Sequence, residues 1–513
     1  MLDNPYAYIS FSPSIKHQTS TMASFTLSPF SKGPESYSQE YAASLDAQDP
    51  LRELRKEFII PTIDDTHTKR IADSSTVQTL SGQTKTRSGE ECTYLCGNSL
   101  GLQPRRTRDY VQRYLNTWAI KGVNGHWQKL EDGDYRPWVD MEEDLKPQMA
   151  KIVGAQTGEV AVMETLTANL HLLMASFYRP TKERYKIIIE GKAFPSDHYA
   201  VQSQLHLHNL HHSEALVELN PPEANSSLLP TSYILSVIDA HADSTALLLL
   251  PGIQYYSGQF FDIRTITAYA QERGITVGWD LAHAVGNVPL ELHDWNVDFA
   301  AWCNYKYMNG GPGVIGGLFV HERHGKVASP TEGSSEVSEE ALGFRPRLSG
   351  WWGSEKSARF RMGSQFTPLP GAAGFRLSNQ SVLDCTAVLA SLSVYGQTTM
   401  QDLRAKSLHL TAYLEHLLFS NAPGEKSADH PYSLITPANP EERGAQLSLL
   451  LKPGMLDFVQ AELEAHGVII DERRPDVIRV APAPLYNNYT DAWRFTQVFK
   501  EACKKALEAK NGH

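Results

Sequence analysis

The chain has 513 residues, a formal net charge of −11, 41% hydrophobic and 20% charged residues, as expected of a soluble globular protein with room for two domains. The negative balance serves solubility and argues against a nucleic-acid partner, which would need a basic face. Five scattered cysteines (Cys92, Cys96, Cys303, Cys385, Cys503) are too few for a disulfide framework, and no second pair completes Cys92 and Cys96 into a metal site.

From the N-terminus, residues 1–40 are rich in Ser, Pro and Thr without periodicity, and a disordered extension is expected. Met22, opening Met-Ala-Ser, is an alternative start. The first thirty residues hold no apolar run and only Lys16 as a basic residue, which argues against a secretory or mitochondrial leader and for the cytosol. The most apolar stretch, Ala246 to Leu250, stops at Pro251 and cannot span a bilayer, so no membrane partner is expected. Asp49-Pro50-Leu51 reads as a helix opening, and residues 65–90 as a polar, exposed connection. In Gly97-Asn98-Ser99-Leu100-Gly101 the two glycines would let the backbone turn tightly and approach a ligand; an ordinary turn before a helix near 108–119 is the simpler alternative. His126, in Val123 to Trp127 ahead of Tyr135-Arg136-Pro137-Trp138, reads on residue type alone as a surface-loop histidine.

Beyond Ile152 strands and helices alternate. Strands are expected at 186–190, 215–219, 245–250, 275–280, 298–303 and 314–320, with helices near 196–210, 232–240 and 264–273. This is an α/β pattern, a mostly parallel sheet flanked by helices, and ligands gather at the carboxyl ends of such strands. No GxGxxG follows a strand, which weakens a dinucleotide reading. Leu166 and Thr167 would open a helix whose free N–H groups and dipole attract phosphate, although a threonine there also serves as a cap. Phe194, in Phe194-Pro195-Ser196-Asp197-His198, stands after a strand where an aromatic ring could stack on a flat ligand or belong to the core. His206, His208, His211 and His212 include an i, i+4 pair with zinc-like spacing, but no acid or cysteine completes the set. A solvated helix face is expected, and no metal.

The stretch from Trp279 to Gly313 carries the chemistry. One apolar run ends in Asp280, with His283 three residues on; a second leads into Tyr305-Lys306, with Gly310, Gly311 and Gly313 behind. Separately, the residues read as a helix cap and a solvated lysine. Together they put one acid and one amine at the ends of two buried strands. Pyridoxal phosphate (PLP) needs that pair: the amine bonds the aldehyde, and the carboxylate keeps the pyridine nitrogen protonated.

Downstream, residues 325–342 are rich in Ser, Glu and Gly and read as a surface insertion; Trp351-Trp352 could be core or subunit interface. Helices at 382–395 and 400–420 and strands at 446–451, 468–470 and 477–480 suggest a smaller α+β domain. Arg479 lies in its last strand, with a planar fork suited to a carboxylate. The expected organisation is an extension 1–40, a segment 41–130 joining the small domain, a large domain 131–370 and a small domain 371–513.

In blocks from about Leu95 to about Tyr489, these motifs resemble the kynureninases, PLP enzymes of fold type I with a class V aminotransferase-like large domain. The resemblance implies PLP held by Leu166 and Thr167 at the phosphate and by Phe194, Pro195, Ser196 and Asp197 around the ring. Asp280, His283, Tyr305, Lys306, Trp351 and Asn379 complete the implied cofactor set, with Lys306, Asp280 and Tyr305 catalytic. Ser99, His126, Asn379 and Arg479 are the implied substrate contacts. The chain departs from the family at Pro251, where some members carry a serine, and a proline cannot supply that contact. The implied reaction is hydrolysis of the Cβ–Cγ bond of L-kynurenine and 3-hydroxy-L-kynurenine, in tryptophan degradation and NAD biosynthesis, by a homodimer. Residues alone leave two alternatives open: another PLP enzyme, such as a cysteine desulfurase or transaminase, and a silent binding protein. Residues 325–342 lack the loop cysteine usual in desulfurases, and a silent protein would be expected to lose Lys306 or Asp280.

Overall fold

A computed structural model describes residues 30–69, 89–130, 136–329, 338–364, 366–420 and 430–511. The expectations for residues 1–29 with Met22, for most of 65–90, for Tyr135 and for the middle of 325–342 lie outside the described residues.

Strand β1 (Thr93–Tyr94) precedes the seven strands of the main sheet: β2 (Val160–Val162), β3 (Lys186–Glu190), β4 (Leu216–Leu219), β5 (Thr245–Pro251), β6 (Thr276–Asp280), β7 (Phe299–Trp302) and β8 (Gly317–Val320). Their order is β2-β8-β7-β6-β5-β3-β4. Strands β4, β3, β5, β6 and β7 pair in parallel, while β8 is antiparallel to both β7 and β2. Parallel neighbours need a crossover to the opposite end of the sheet. Residues 303–316 form no helix and stay at one end, so β8 must run back against β7.

Both faces of this sheet are covered, which explains why its strands read as continuous apolar runs. Ile188, Leu248, Leu250, Val277, Trp279, Ala300 and Trp302 enter one core; Ile187, Ile189, Leu247, Leu249, Phe299 and Ala301 enter another. Consecutive residues alternate between the two, as the pleat requires. Helices Leu166–Phe177 and Pro195–Leu207 cover the second face, and Thr231–His241 with Ile263–Gln271 the first. Each fully buried Leu or Ile contributes roughly 1.5–3 kcal/mol.

The smaller unit has β9 (Tyr432–Leu434), β10 (Leu447–Leu451), β11 (Val468–Ile469), β12 (Asp471–Arg473) and β13 (Val477–Val480). Four of these form an antiparallel sheet in the order β12-β13-β10-β9, and β11 pairs with β1. Helices Met400–Phe419, Leu456–Ala465 and Tyr489–Asn511 pack with it.

Two expectations need correction. Residues 30–40 were expected in the disordered extension, yet Pro34–Tyr37 is a 3-10 turn and Gln39–Gln48 an α-helix whose Ala42 and Leu45 enter the smaller core. A fully buried Lys406–Asp49 ion pair (2.8 Å) ties that segment down. Nor do His208 and His212 share a helix. His208 caps the end of Pro195–Leu207, Asn209 turns the chain at φ 57°, and His212 opens a separate short helix.

Candidate active site

Three strand ends and two helix starts meet around a cavity of about 160 Å³. Its wall includes Lys306, Asp280, Asp197, His283 and Tyr305, together with Leu166, Thr167, Phe194 and Ser196. All of these were expected from the sequence. Asp280 ends β6, in register with Pro251 of β5 and Ala301 of β7. Lys306 follows β7 in the return segment, so the acid and the amine come from adjacent parallel strands.

Two helix starts bring backbone N–H groups to the cavity. Helix Leu166–Phe177 starts from Thr165, which is extended and makes no side-chain cap, and helix Pro195–Leu207 starts equally uncapped from Phe194. Uncapped first-turn N–H groups and the dipole favour an anion there. The Thr167 and Ser196 hydroxyls, one from each helix, lie 2.6 Å apart. Glu164 precedes the first helix in the left-handed region (φ 45°), which turns the chain sharply off β2.

The wall around Asp280 and Asp197 is acidic and buried. Asp280 Oδ1 accepts the Ala282 N–H (2.8 Å). Asp197 is buried with Oδ1 unpartnered; burial and the neighbouring Asp280, with which it shares a hydrogen bond, push its carboxyl well up, and Lys306 opposes that rise. His283 Nδ1 is likewise buried and unpartnered; burial, then Lys306 and Arg479, hold the imidazole neutral. Burial also raises the Tyr305 hydroxyl, which stays a proton donor through the neutral range. An orphaned carboxylate oxygen and an orphaned ring nitrogen facing one lysine fit a ligand with a protonated ring nitrogen and an aldehyde. An anion would sit at the helix starts. PLP has all three features.

Gly101 has a packing use as well. A Cβ there would lie 2.3 Å from the Lys306 carbonyl oxygen and 2.2 Å from Asn309 Oδ1, and the Gly101 N–H donates to the Tyr305 carbonyl (2.9 Å). Its missing side chain lets the chain press on the lysine segment. Ser99 stands beside it, outside the cavity wall.

Other expected residues lie away from the wall. Pro195 is the first residue of its helix. Arg479 is buried, donating to the Tyr255 carbonyl (2.7 Å) and paired with Asp471 (2.6 Å). Asn379 lines a neighbouring cleft that shares Thr165 with the main cavity. Trp351 is half exposed and donates to the Arg359 carbonyl (2.9 Å); the His126 ring stands edge-on to Trp138 at 5.3 Å.

Conversely, Thr165, Pro251, Ile253, Tyr255 and Ala282 line the cavity without having been expected to. The block from Leu250 to Gln259 signals three of them by its place at a strand end. Thr165 follows from the helix start.

Far from this cavity, Glu159, His293 and His321 bring possible ligand atoms within 4.8 Å of one another. Most of their lone pairs are already used. Glu159 accepts from His293 Nδ1 (2.9 Å), Glu322 N (2.8 Å) and Gln156 N (2.8 Å), and His321 Nδ1 accepts from Arg323 N (3.2 Å).

Comparison with known proteins adds the family. Residues 103–406 match the aminotransferase class-V family and residues 403–499 the kynureninase C-terminal domain. A kynureninase of Coccidioides immitis is 58% identical over 483 residues, covering 94% of this chain and 98% of the relative. Kynureninase 1 of Aspergillus oryzae is 58% identical over 482 residues, covering 94% and 96%. Among solved structures, a cysteine desulfurase from Thermococcus onnurineus NA1 superposes with TM-score 0.61 at 16% identity, over 81% of this chain and 95% of that one. A C-DES variant with glycine covalently linked to its PLP cofactor gives 0.62 at 15% identity, over 80% and 96%. At such identities the likeness shows the fold alone.

Proposed function

The chain belongs to the kynureninase family, and from that premise we infer that it hydrolyses the Cβ–Cγ bond of L-kynurenine and 3-hydroxy-L-kynurenine, releasing L-alanine and anthranilate or 3-hydroxyanthranilate. The observation that carries this reading is one cavity walled by Lys306 and Asp280 together with two uncapped helix starts. Pyridoxal phosphate is the cofactor; bound there, it supplies an electron-withdrawing ring conjugated to the substrate α-carbon.

Thr167, Ser196 and the first-turn N–H groups would hold the phosphate, Phe194 would cover the ring, and Lys306 Nζ would anchor the aldehyde. Asp280 would hold the proton on the ring nitrogen, where a carboxylate lowers the barrier by stabilising charge as it develops. Asp197, its carboxyl pushed well up by burial and by Asp280, would stand beside Asp280 as the weaker acid. Neutral His283 would pack beside them. Released by the substrate amine, Lys306 Nζ would take the proton from Cα and return it further along the substrate. Tyr305 would donate its hydroxyl proton to a developing oxyanion, and Arg479 would grip the amino-acid carboxylate.

A second copy of the chain completes this reading. Trp127 and Trp351 are half exposed and both pack on Phe360, at 4.5 and 5.3 Å between ring centroids. Exposed aromatic clusters of this kind mark association surfaces. In the homodimer we propose, Trp351, Asn379, His126 and Ser99 face an active site at the subunit boundary. All five cysteines are free and buried, which suits the reducing cytosol, and among the described residues no helix is long and apolar enough to cross a membrane.

The test is direct. Purified protein with PLP, given kynurenine or 3-hydroxykynurenine, should yield alanine and the matching aminobenzoate in equal amounts. Borohydride reduction should leave the pyridoxyl group on Lys306; label on another lysine would end that assignment, and transamination products without alanine would favour another PLP chemistry.

A further inference from the structure

Glu190 ends β3 beside the cavity, outside its wall, and is buried. It accepts the Lys192 N–H (3.1 Å) and the Gln254 side-chain amide, whose Nε2 lies 3.4 Å from each carboxylate oxygen. Gln254 belongs to the turn after β5. Its Oε1 accepts three hydrogen bonds there, from the N–H groups of Tyr256 and Ser257 (both 2.7 Å) and from the Ser257 hydroxyl (3.2 Å). Between them sits Tyr255. Its ring meets Phe194 edge-on at 5.3 Å, and its carbonyl accepts from Arg479 Nη1 (2.7 Å).

We propose that Glu190 is a positioning residue: by orienting the Gln254 amide it sets the turn that aims the Tyr255 ring and the Arg479 guanidinium at the substrate. This rests on the kynurenine-cleaving reading above. A side-chain amide has a donor end and an acceptor end, and flipping exchanges them. An ionised carboxylate accepts at both oxygens and donates nothing, so only the NH₂ end of Gln254 can face it. The acceptor end is thereby committed to the turn. Were Glu190 to carry a proton, it could donate to a flipped amide, and the two N–H groups and the hydroxyl of the turn would lose their acceptor. Burial lifts the carboxyl to about 7, against the hydrogen bonds from Gln254 and Lys192. The charged and titratable groups facing it are Lys192 on its own loop, Asp197 on the following helix and Tyr255 on the turn.

The experiment compares PLP-loaded wild type with Glu190→Gln, a residue that can both donate and accept. The KM ratio of variant to wild type for kynurenine should rise from near unity at pH 6 to about tenfold at pH 8.5, with kcat changed by less than about threefold. Groups that titrate alike in both proteins cancel in that ratio. Independently of turnover, amide hydrogen exchange in residues 252–259 should quicken in Glu190→Gln at pH 8 while β3, β5 and β6 keep their protection. Gln254→Leu should reproduce the faster exchange. A KM ratio flat with pH, or unchanged exchange in the turn, overturns the proposal even if wild type is active. Wild type that fails to cleave kynurenine overturns the function instead, and the exchange measurement still decides whether Glu190 holds the turn.

Discussion

Asp280 and Lys306 were readable in the chain because each closes an apolar run, and a buried strand end is where an ionisable side chain has little business unless it works. Their partnership depends on β6 and β7 being neighbours, which spacing suggests and the register makes specific. The role we assign to Asp280 predicts that Asp280→Asn keeps PLP, seen by its visible absorbance, while kcat falls by about 100-fold or more, a barrier increase of several kcal/mol. Near-normal turnover in the cofactor-loaded variant would remove the electron-sink role. Glu190 also closes an apolar run, but its tie to Gln254 and the turn was not readable, since side-chain contacts between distant segments leave no trace in spacing. Its raised pKa has a stability cost with a definite sign. A carboxyl lifted from 4.5 to about 7 in the folded protein lends its full stability below pH 4.5 and loses it as pH climbs through 7. The total is about 3 kcal/mol. Urea unfolding should therefore find Glu190→Gln gaining on wild type between pH 5 and pH 8; a constant gap would mean that Glu190 titrates normally.

Among elements, the helices Glu142–Val153, Leu456–Ala465 and Tyr489–Asn511 went unread. The long apolar strands and several other helices were legible within about three residues, because burial on both faces imposes a pattern no loop imitates. Expected 186–190 is β3, and expected 382–395 is helix Val382–Tyr395. Short pieces were not. β2 has three residues and β1 two, too few for a period, and each exists only because a distant strand supplies its hydrogen bonds. The histidine-rich stretch misled for the opposite reason: it has helical spacing, but Asn209 adopts a left-handed turn that spacing cannot reveal. The paired helix starts make a prediction of their own. Thr167→Val with Ser196→Ala should weaken PLP binding by about 10- to 100-fold, the worth of one or two hydrogen bonds to a charged phosphate, leaving saturated kcat nearly unchanged. Equilibrium dialysis of PLP with each variant measures it, and unaltered affinity would place the phosphate elsewhere.

For the whole molecule, six residues that the family resemblance assigned to the site, Ser99, His126, Pro195, Trp351, Asn379 and Arg479, lie off the wall of the cavity in a single chain. A linear motif cannot say which copy of a chain it serves. Sedimentation should find a dimer at micromolar concentration. Trp351→Glu, placing a charge in the aromatic cluster, should shift it toward monomer and lower activity together; a fully active monomer would refute the shared site. His126→Phe should narrow or reverse the preference we expect for 3-hydroxykynurenine. An unpaired buried polar group costs about 1–3 kcal/mol, enough for tenfold or more in kcat/KM. Arg479→Ala should weaken both substrates alike. Efficiencies for both substrates with both variants provide the check, and an unchanged preference in His126→Phe would move hydroxyl recognition elsewhere.

The pairing of β1 with β11 joins residues more than three hundred positions apart, and translation makes that separation a delay. At about 5–20 residues per second, the ribosome needs tens of seconds after releasing Thr93 and Tyr94 before their partner strand exists. Throughout that interval Leu95 and the helix Gln39–Gln48, both destined for the smaller core, lack the C-terminal strands and helix that bury them. A nascent chain stalled anywhere before Val468 would therefore present an apolar N-terminal arm to chaperones and proteases, however complete its central sheet.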